Sequence, residues 1–222
     1  MRSFLYPVSS LLTLALLLWS CTPASGPVAH QSIEVEAPFD MPAITVPDFS
    51  NCVRLNIVDF GADPDDLEAT SAALAAAFEE ASAAGGGIVL VPPGTWPSKA
   101  LHFKSHVNLH LEEGAVLEFS GNPEHYLPAV RTSWEGMECY NYSPLIYAYE
   151  CENVAITGAG KLRAKMETWR RWFPRPEAHM EGLKQLYHMA AQGVPLEERQ
   201  MVRDDINMRP HFIQFNRCQN VL

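Results

Sequence analysis

Three histidines, His102, His106 and His110, recur four residues apart, a spacing that would put them on one face of a helix and let them share a metal ion. The residues around them argue against that helix. Leu101, Phe103, Val107, Leu109 and Leu111 are apolar at odd positions, while His102, Lys104, His106, Asn108, His110 and Glu112 are polar at even ones. A period of two belongs to strands with one wet face. On a strand, successive histidines of the set would stand about 13 Å apart, too far to share one ion. They are expected at the surface, and no metal or cofactor is expected. Gly85-Gly86-Gly87 follows a helical pattern and precedes an apolar run, the reverse of the strand–glycine–helix order that cradles phosphate. Asp63, Asp65 and Asp66 lack the further ligands of a calcium loop and suit a turn and a helix cap. No GxSxG, HExxH or Walker pattern occurs. The acidic pairs Glu112-Glu113, Glu197-Glu198 and Asp204-Asp205 are adjacent in sequence, and adjacent strand residues point to opposite faces. No catalytic residue is assigned.

Binding chemistry has better candidates. Trp134, Trp169, Trp172 and Phe173 fall outside the regular strand pattern, as do Arg131, Arg170, Arg171, Arg175 and Arg209. Aromatic faces stack on sugar rings and guanidinium groups pair with carboxylates. The same aromatics would serve equally to pack an irregular segment onto the strands, and the sequence leaves both roles open. Trp134, Trp169, Trp172, Arg209 and His211 are carried forward as substrate-binding candidates. The net charge of −10 excludes a nucleic-acid partner, which needs a basic surface. An acidic polymer could be held only by a local cluster of cations.

The elements that would position these residues are mostly strands. Leu55–Val58 reads as a strand ended by Gly61, Asp63 and Pro64, and Asp65 or Asp66 offers an N-cap. Leu67, Leu74, Ala77, Phe78 and Ala81 then share a helical face until Gly85-Gly86-Gly87 stops it. Ile88–Val91 is a strand turned by Pro92-Pro93-Gly94, and strands continue through Ala115-Val116-Leu117. A weak repeat joins Glu150-Cys151-Glu152-Asn153-Val154 to Arg217-Cys218-Gln219-Asn220-Val221, with Lys104-Ser105-His106-Val107 a looser copy. Short strands, corner residues and irregular loops predict a parallel β-helix. Cys151 and Cys218 would occupy equivalent points of successive coils, either as stacked thiols or as a bridge; with Cys52 and Cys139 the four permit three connectivities. Between Lys165 and Asp205 the strand pattern gives way to Met180, Leu183, Tyr187 and Ala190 at helical spacing, a helical insertion over 165–205.

The beginning of the chain reads as an address. Arg2 and the apolar run Leu11–Trp19 form a signal peptide over 1–20, too short to span a bilayer as a helix. Leu18-Trp19-Ser20-Cys21 looks like a bacterial lipobox, with Cys21 the lipidated residue; plain secretion is the alternative. Thr22 after it favours an outer-membrane anchor in the bacterial cell envelope. Residues 21–50, with Pro23, Pro27, Pro38, Pro42 and Pro47, are expected as a Pro-rich tether ahead of one domain over 51–222.

Asn56-Ile57-Val58-Asp59-Phe60-Gly61-Ala62, the acidic turn, the Ala-rich helix, the glycine run and Val91-Pro92-Pro93-Gly94 resemble the opening of pectin-lyase-like β-helix proteins. Pro144-Leu145-Ile146-Tyr147, Asn153-Val154-Ala155-Ile156-Thr157-Gly158-Ala159-Gly160 and Arg209-Pro210 are similar to family 28 glycoside hydrolases, the polygalacturonase group. The likeness implies an all-β, right-handed parallel β-helix with an N-terminal capping helix, incomplete at its C-terminal end. It implies hydrolysis of an acidic plant polysaccharide, pectin or an oligogalacturonide, with inversion by two carboxyl groups about 6.5–9.5 Å apart. In the family those acids come from later coils, in Asn-x-Asp, Asp-Asp and Gly-His-Gly patterns followed by Arg-x-Lys. That ordered set does not occur here, so this chain by itself is expected to be inactive. The alternative is a non-catalytic carbohydrate-binding or adhesive β-helix.

Overall fold

The computed structural model describes residues 26–203 and 206–222; the leader, Cys21, Asp204 and Asp205 lie outside the described residues. The strands are β1 (Ala29–Ile33), β2 (Ile44–Asp48), β3 (Val53–Asn56), β4 (Gly87–Val91), β5 (Gly94–Ser98), β6 (Leu101–His102), β7 (Val107–Leu111), β8 (Ala115–Phe119), β9 (Val130–Trp134), β10 (Met137–Asn141), β11 (Ile146–Tyr149), β12 (Glu152–Gly158), β13 (Lys161–Ala164), β14 (Val202–Arg203), β15 (Ile206–Asn207), β16 (Ile213–Asn216) and β17 (Gln219–Val221). Helix α1 (Leu67–Ala83) precedes β4, while α2 (Met166–Trp169) and α3 (Glu177–Ala191) lie between β13 and β14.

Most of these strands fall into three parallel sheets that the chain visits in rotation. The sheets have the orders β17-β12-β7-β4-β3, β13-β8-β5 and β16-β11-β6. Each circuit through the three sheets lays one coil upon the last. The odd-numbered apolar residues predicted to face inward do so: Leu101, Phe103, Val107, Leu109 and Leu111 are buried in one core with Val89, Leu117, Ile146 and Val154. The repeat marks a coil corner. Glu152 pairs with Gln219 and Val154 with Val221, so the two copies lie on adjacent coils. His106, Asn153 and Asn220 there adopt left-handed backbone, φ 67°, 53° and 51°, a region that asparagine tolerates better than most residues. Their side chains form a ladder. Asn220 Nδ2 donates to Asn153 Oδ1 at 2.9 Å, and Asn153 Nδ2 lies 3.1 Å from His106 Nδ1. Cys151 and Cys218 are free thiols beside this corner, as are Cys52 and Cys139 elsewhere.

The polar stretch before α1 resolves into a cap. The strand expected at Leu55–Val58 begins earlier, at Val53, and gives way to a 3-10 turn over Ile57–Phe60. Asp66, of the two candidates, is the N-cap, accepting from the backbone N–H groups of Glu68 and Ala69. The helix then buries Thr70, Ala73, Leu74, Ala77, Phe78 and Ala81, packing on β3, β4, β5 and β6. A Cβ added to Gly87 would stand 2.5 Å from the Cβ of Ala81, so the glycine run sets how closely the helix approaches β4 as well as stopping it.

The tether expected over 21–50 needs correction for its described part. β1 and β2 form an antiparallel hairpin. Val46 and Phe49 are buried, and Phe49 and Cys52 cluster with Ile88 and Ala155 on the outward face of the five-stranded sheet. The cause is that this sheet is apolar on both faces. Ile88 and Leu90 point away from the core and must be covered, and Val28, Phe49 and Cys52 cover them. Proline content alone did not reveal this, because the apolar residues concerned are few and widely spaced.

Two excursions leave the stack at the same corner on successive coils. The hairpin β9–β10 lies between β8 and β11, and the helical insertion between β13 and β16. They meet in a second core of Trp134, Cys139, Leu183, Leu186, Met201 and Met208. The buried side of α3 is turned relative to the expected one. His179, Gly182, Leu183 and Leu186 are covered, while Met180 and Tyr187 are exposed, because the helix presents its face to Trp134 and not to the coil. Burial pushes the Cys139 thiol up to about 12, so it sits there as an apolar group. On the opposite face of this hairpin Arg131 grips Glu138, with Nη2 at 2.9 and 3.1 Å from its two carboxylate oxygens, and Arg217 Nη2 adds a bond at 3.0 Å.

Two outcomes follow from this packing. Phe49→Ala should cost about 3 kcal/mol in urea unfolding, whereas a residue in a solvated tether would cost next to nothing. Desolvation, the largest single influence on Glu138, raises its pKa, but bonds and charge from Arg131 and Arg217 together hold it below the ordinary glutamate value. The stabilisation is therefore present above the ordinary glutamate range and is lost as pH falls through the depressed value. Glu138→Gln should lower the melting temperature at pH 7, and its deficit against the parent chain should close below about pH 4.

Candidate functional site

The excursions bring the five binding candidates together. Trp134 ends β9 and lies against His211, ring centroids 5.0 Å apart, with the Arg209 guanidinium 5.2 Å from its ring centre. Trp169, at the end of α2, stacks on Trp172 at 5.8 Å and meets Tyr126 edge-on at 5.4 Å. Between these groups are two adjoining pockets that share Phe173 and Arg209. The first, about 320 Å³, is walled by Leu145, Met166, Trp169, Pro210 and Phe212, with Arg170 also at its edge. The second, about 270 Å³, holds Trp134, Glu135, Trp172, Arg175 and His179.

The two roles left open for the aromatics divide between residues. Trp134 and Trp172 are only 7% and 3% exposed, so their main work is packing, Trp134 where the insertion meets the β9–β10 hairpin and Trp172 against Trp169. Phe173, beside Trp172, is 89% exposed and belongs to no core cluster. An aromatic ring left in water next to a cleft is available to a ligand. His211 lies behind the cleft, its Nε2 2.9 Å from the carbonyl of Ser133, and acts as a support for Trp134. The indole N–H groups of Trp134 and Trp169 are buried without a hydrogen-bond partner among the described residues.

Charge divides in the same way. Arg131 is committed to Glu138 and plays no part in the cleft. Arg170, Arg171, Arg175 and Arg209 have no carboxylate partner among the described residues. Arg171 lies 4.0 Å over Trp172, and the other three line the pockets. Against them stands, among the described lining residues, one carboxylate, Glu135, which accepts a hydrogen bond from the Tyr187 hydroxyl. The arrangement can hold an anion and a ring. Among the described residues it holds no pair of facing carboxyl groups of the kind that acid–base cleavage of a glycoside needs.

The three histidines do not converge. His102 contacts Ser143 at 2.9 Å, His110 contacts Thr157 at 2.8 Å, and His106 belongs to the corner ladder. Among the described residues no group of three or more His, Cys, Asp and Glu side chains could hold a metal ion. Met166, Phe173 and Phe212 were not among the five candidates. Phe173 carried a visible signal in its place beside Trp172, whereas Met166 and Phe212 gained their places only when two loops met.

No protein-family model and no curated protein matches the chain. Solved structures do. A hyperthermoactive exopolygalacturonase from Thermotoga maritima is 40% identical with a TM-score of 0.71, over 79% of this chain and 40% of that one. A family 28 exopolygalacturonase from Yersinia enterocolitica is 32% identical with a TM-score of 0.44, over 54% of this chain and 22% of that one. A candidate glycosyl hydrolase from Parabacteroides merdae, 19% identical with a TM-score of 0.52 over 76% of this chain and 62% of that one, bears on the fold alone. This chain thus spans about two fifths of the length of the Thermotoga enzyme. In sequence and in its parallel strands it resembles that exopolygalacturonase, in keeping with the polygalacturonase group to which the motifs from Pro144 onward pointed.

Proposed function

We propose that this chain is part of a pectic-polysaccharide hydrolase of the polygalacturonase type, and that the described residues contribute substrate binding rather than the acid–base step. The observation that carries this reading is the set of Arg170, Arg175 and Arg209 lining two pockets that share the exposed Phe173 ring, on a chain whose net charge is −10. A polyuronate offers one carboxylate per ring. Its sugar would rest on Phe173 in the more polar pocket, with its acid toward Arg175 and Arg209. In the same reading the coils wind right-handed and α1 caps their first turn, which its packing on β3 to β6 supports. The inverting pair comes from coils other than those described here. A non-catalytic carbohydrate-binding role is favoured for this chain alone by Glu135 being the single carboxylate among the described lining residues. The anchor at Cys21 remains part of the proposal, and fatty-acid labelling should disappear in Cys21→Ser.

Calorimetric titration with trigalacturonate tests the binding. Affinity should fall with added salt, and Arg175→Ala and Arg209→Ala should each weaken it about tenfold. Unchanged affinity in both variants would remove the basis of the proposal. No reducing ends should be released from polygalacturonate by the chain. Cleavage that is abolished by Glu135→Gln would place the chemistry in this cleft after all.

A further inference from the structure

The two pockets differ in chemistry, and the difference separates their ligands. A pyranose carries hydroxyl groups all round its ring, and each one moved out of water without a partner costs free energy. The pocket of Arg175 and His179 can meet such groups with polar side chains. The pocket of Leu145, Ala164, Met166, Trp169, Pro210 and Phe212 cannot, since its polar lining is confined to Arg170 and Arg209. A sugar there would lose its water and find few hydrogen bonds. A flat apolar ring would lose nothing of the kind, and about 320 Å³ is ample for one ring with a short side chain.

Charge then narrows the occupant. Arg170 and Arg209 are exposed, and neither has a carboxylate partner among the described residues. An uncharged aromatic would leave both unanswered. We infer that this pocket is a binding site for an aromatic carboxylate, its ring among Trp169, Phe212 and Met166 and its acid group toward Arg170 and Arg209. The site goes beyond the hydrolase reading and stands without it, because it requires neither cleavage nor a uronate.

Cinnamate is the probe. Titrated into the full chain, it should quench tryptophan fluorescence and give a saturable heat. Cinnamyl alcohol, which keeps the ring and loses the charge, should bind at least about tenfold more weakly, the worth of one charge-assisted hydrogen bond. Because the two pockets share Phe173 and Arg209, competition is read in Arg175→Ala, where the polyuronate cleft is weakened: galacturonate monomer, with charge and no aromatic ring, should fail to displace cinnamate there. Arg209→Ala and Phe173→Ala alter exposed side chains, so both variants should keep the parent melting temperature while losing about tenfold in cinnamate affinity. Equal affinity for the alcohol, displacement by galacturonate in Arg175→Ala, or the absence of any saturable signal would each overturn the assignment. So would a monomer–dimer equilibrium that blocks the signal, since it would show the pocket filled by a second copy. Loss of trigalacturonate binding in Arg175→Ala, with cinnamate binding intact, would separate this site from the polyuronate cleft.

Discussion

Parallel backbone pairing between successive coils is the constraint on which the remainder of this molecule depends. Once Glu152 is opposite Gln219 and Val154 opposite Val221, every residue between them has a fixed height and face. The left-handed corner at His106, Asn153 and Asn220 pins that register, because a slip by one residue would put a side chain with no left-handed tolerance at the bend. The side-chain ladder there satisfies polar groups that would otherwise be stranded at the corner. Register also decides where loops emerge. The β9–β10 hairpin and the helical insertion leave from the same corner on adjacent coils, so they rise beside each other and must pack or collide.

They pack, and the cleft is a by-product of how. Trp134 is consumed in joining the two excursions, in one small core away from the coil with Leu183, Leu186, Met201 and Met208, and Trp172 is buried against Trp169. What that core cannot absorb, Phe173 and the arginines, is left around its mouth. The local positive charge sits against a chain of net charge −10, so it is short-ranged. It would act on a carboxylate already in the cleft and would add little to long-range capture. In the proposed reading these arginines orient the ligand, since the fixed geometry of a guanidinium matches a planar acid.

Much of the coil was legible in the sequence because strand period and corner repeat are local signals. The alternation from Leu101 to Leu111 gave the inward face, and the repeat at Cys151 and Cys218 gave the stacking offset, both as observed. Legibility failed where one segment answers a need created by another. Nothing near Val46 or Phe49 says that Ile88 and Leu90 require a cover. Nothing in α3 says that it faces Trp134, and the expected stripe through Met180 and Tyr187 was therefore turned from the true one. The cleft shows the same division. The aromatic and basic residue types were evident, but which tryptophans are structural and which ring is free depended on two loops meeting in space.

The central claim, that the cleft between those loops is where this chain meets an acidic polysaccharide, is most directly tested by a crystal structure of the chain grown with trigalacturonate. The account predicts one uronate ring over Phe173, its carboxylate within hydrogen-bond distance of Arg175 or Arg209, and no sugar in the pocket of Trp169 and Phe212. Sugar bound instead along the outward face of β6, β11 and β16, beside Tyr147 and Tyr149, with the arginine cleft empty, would contradict it.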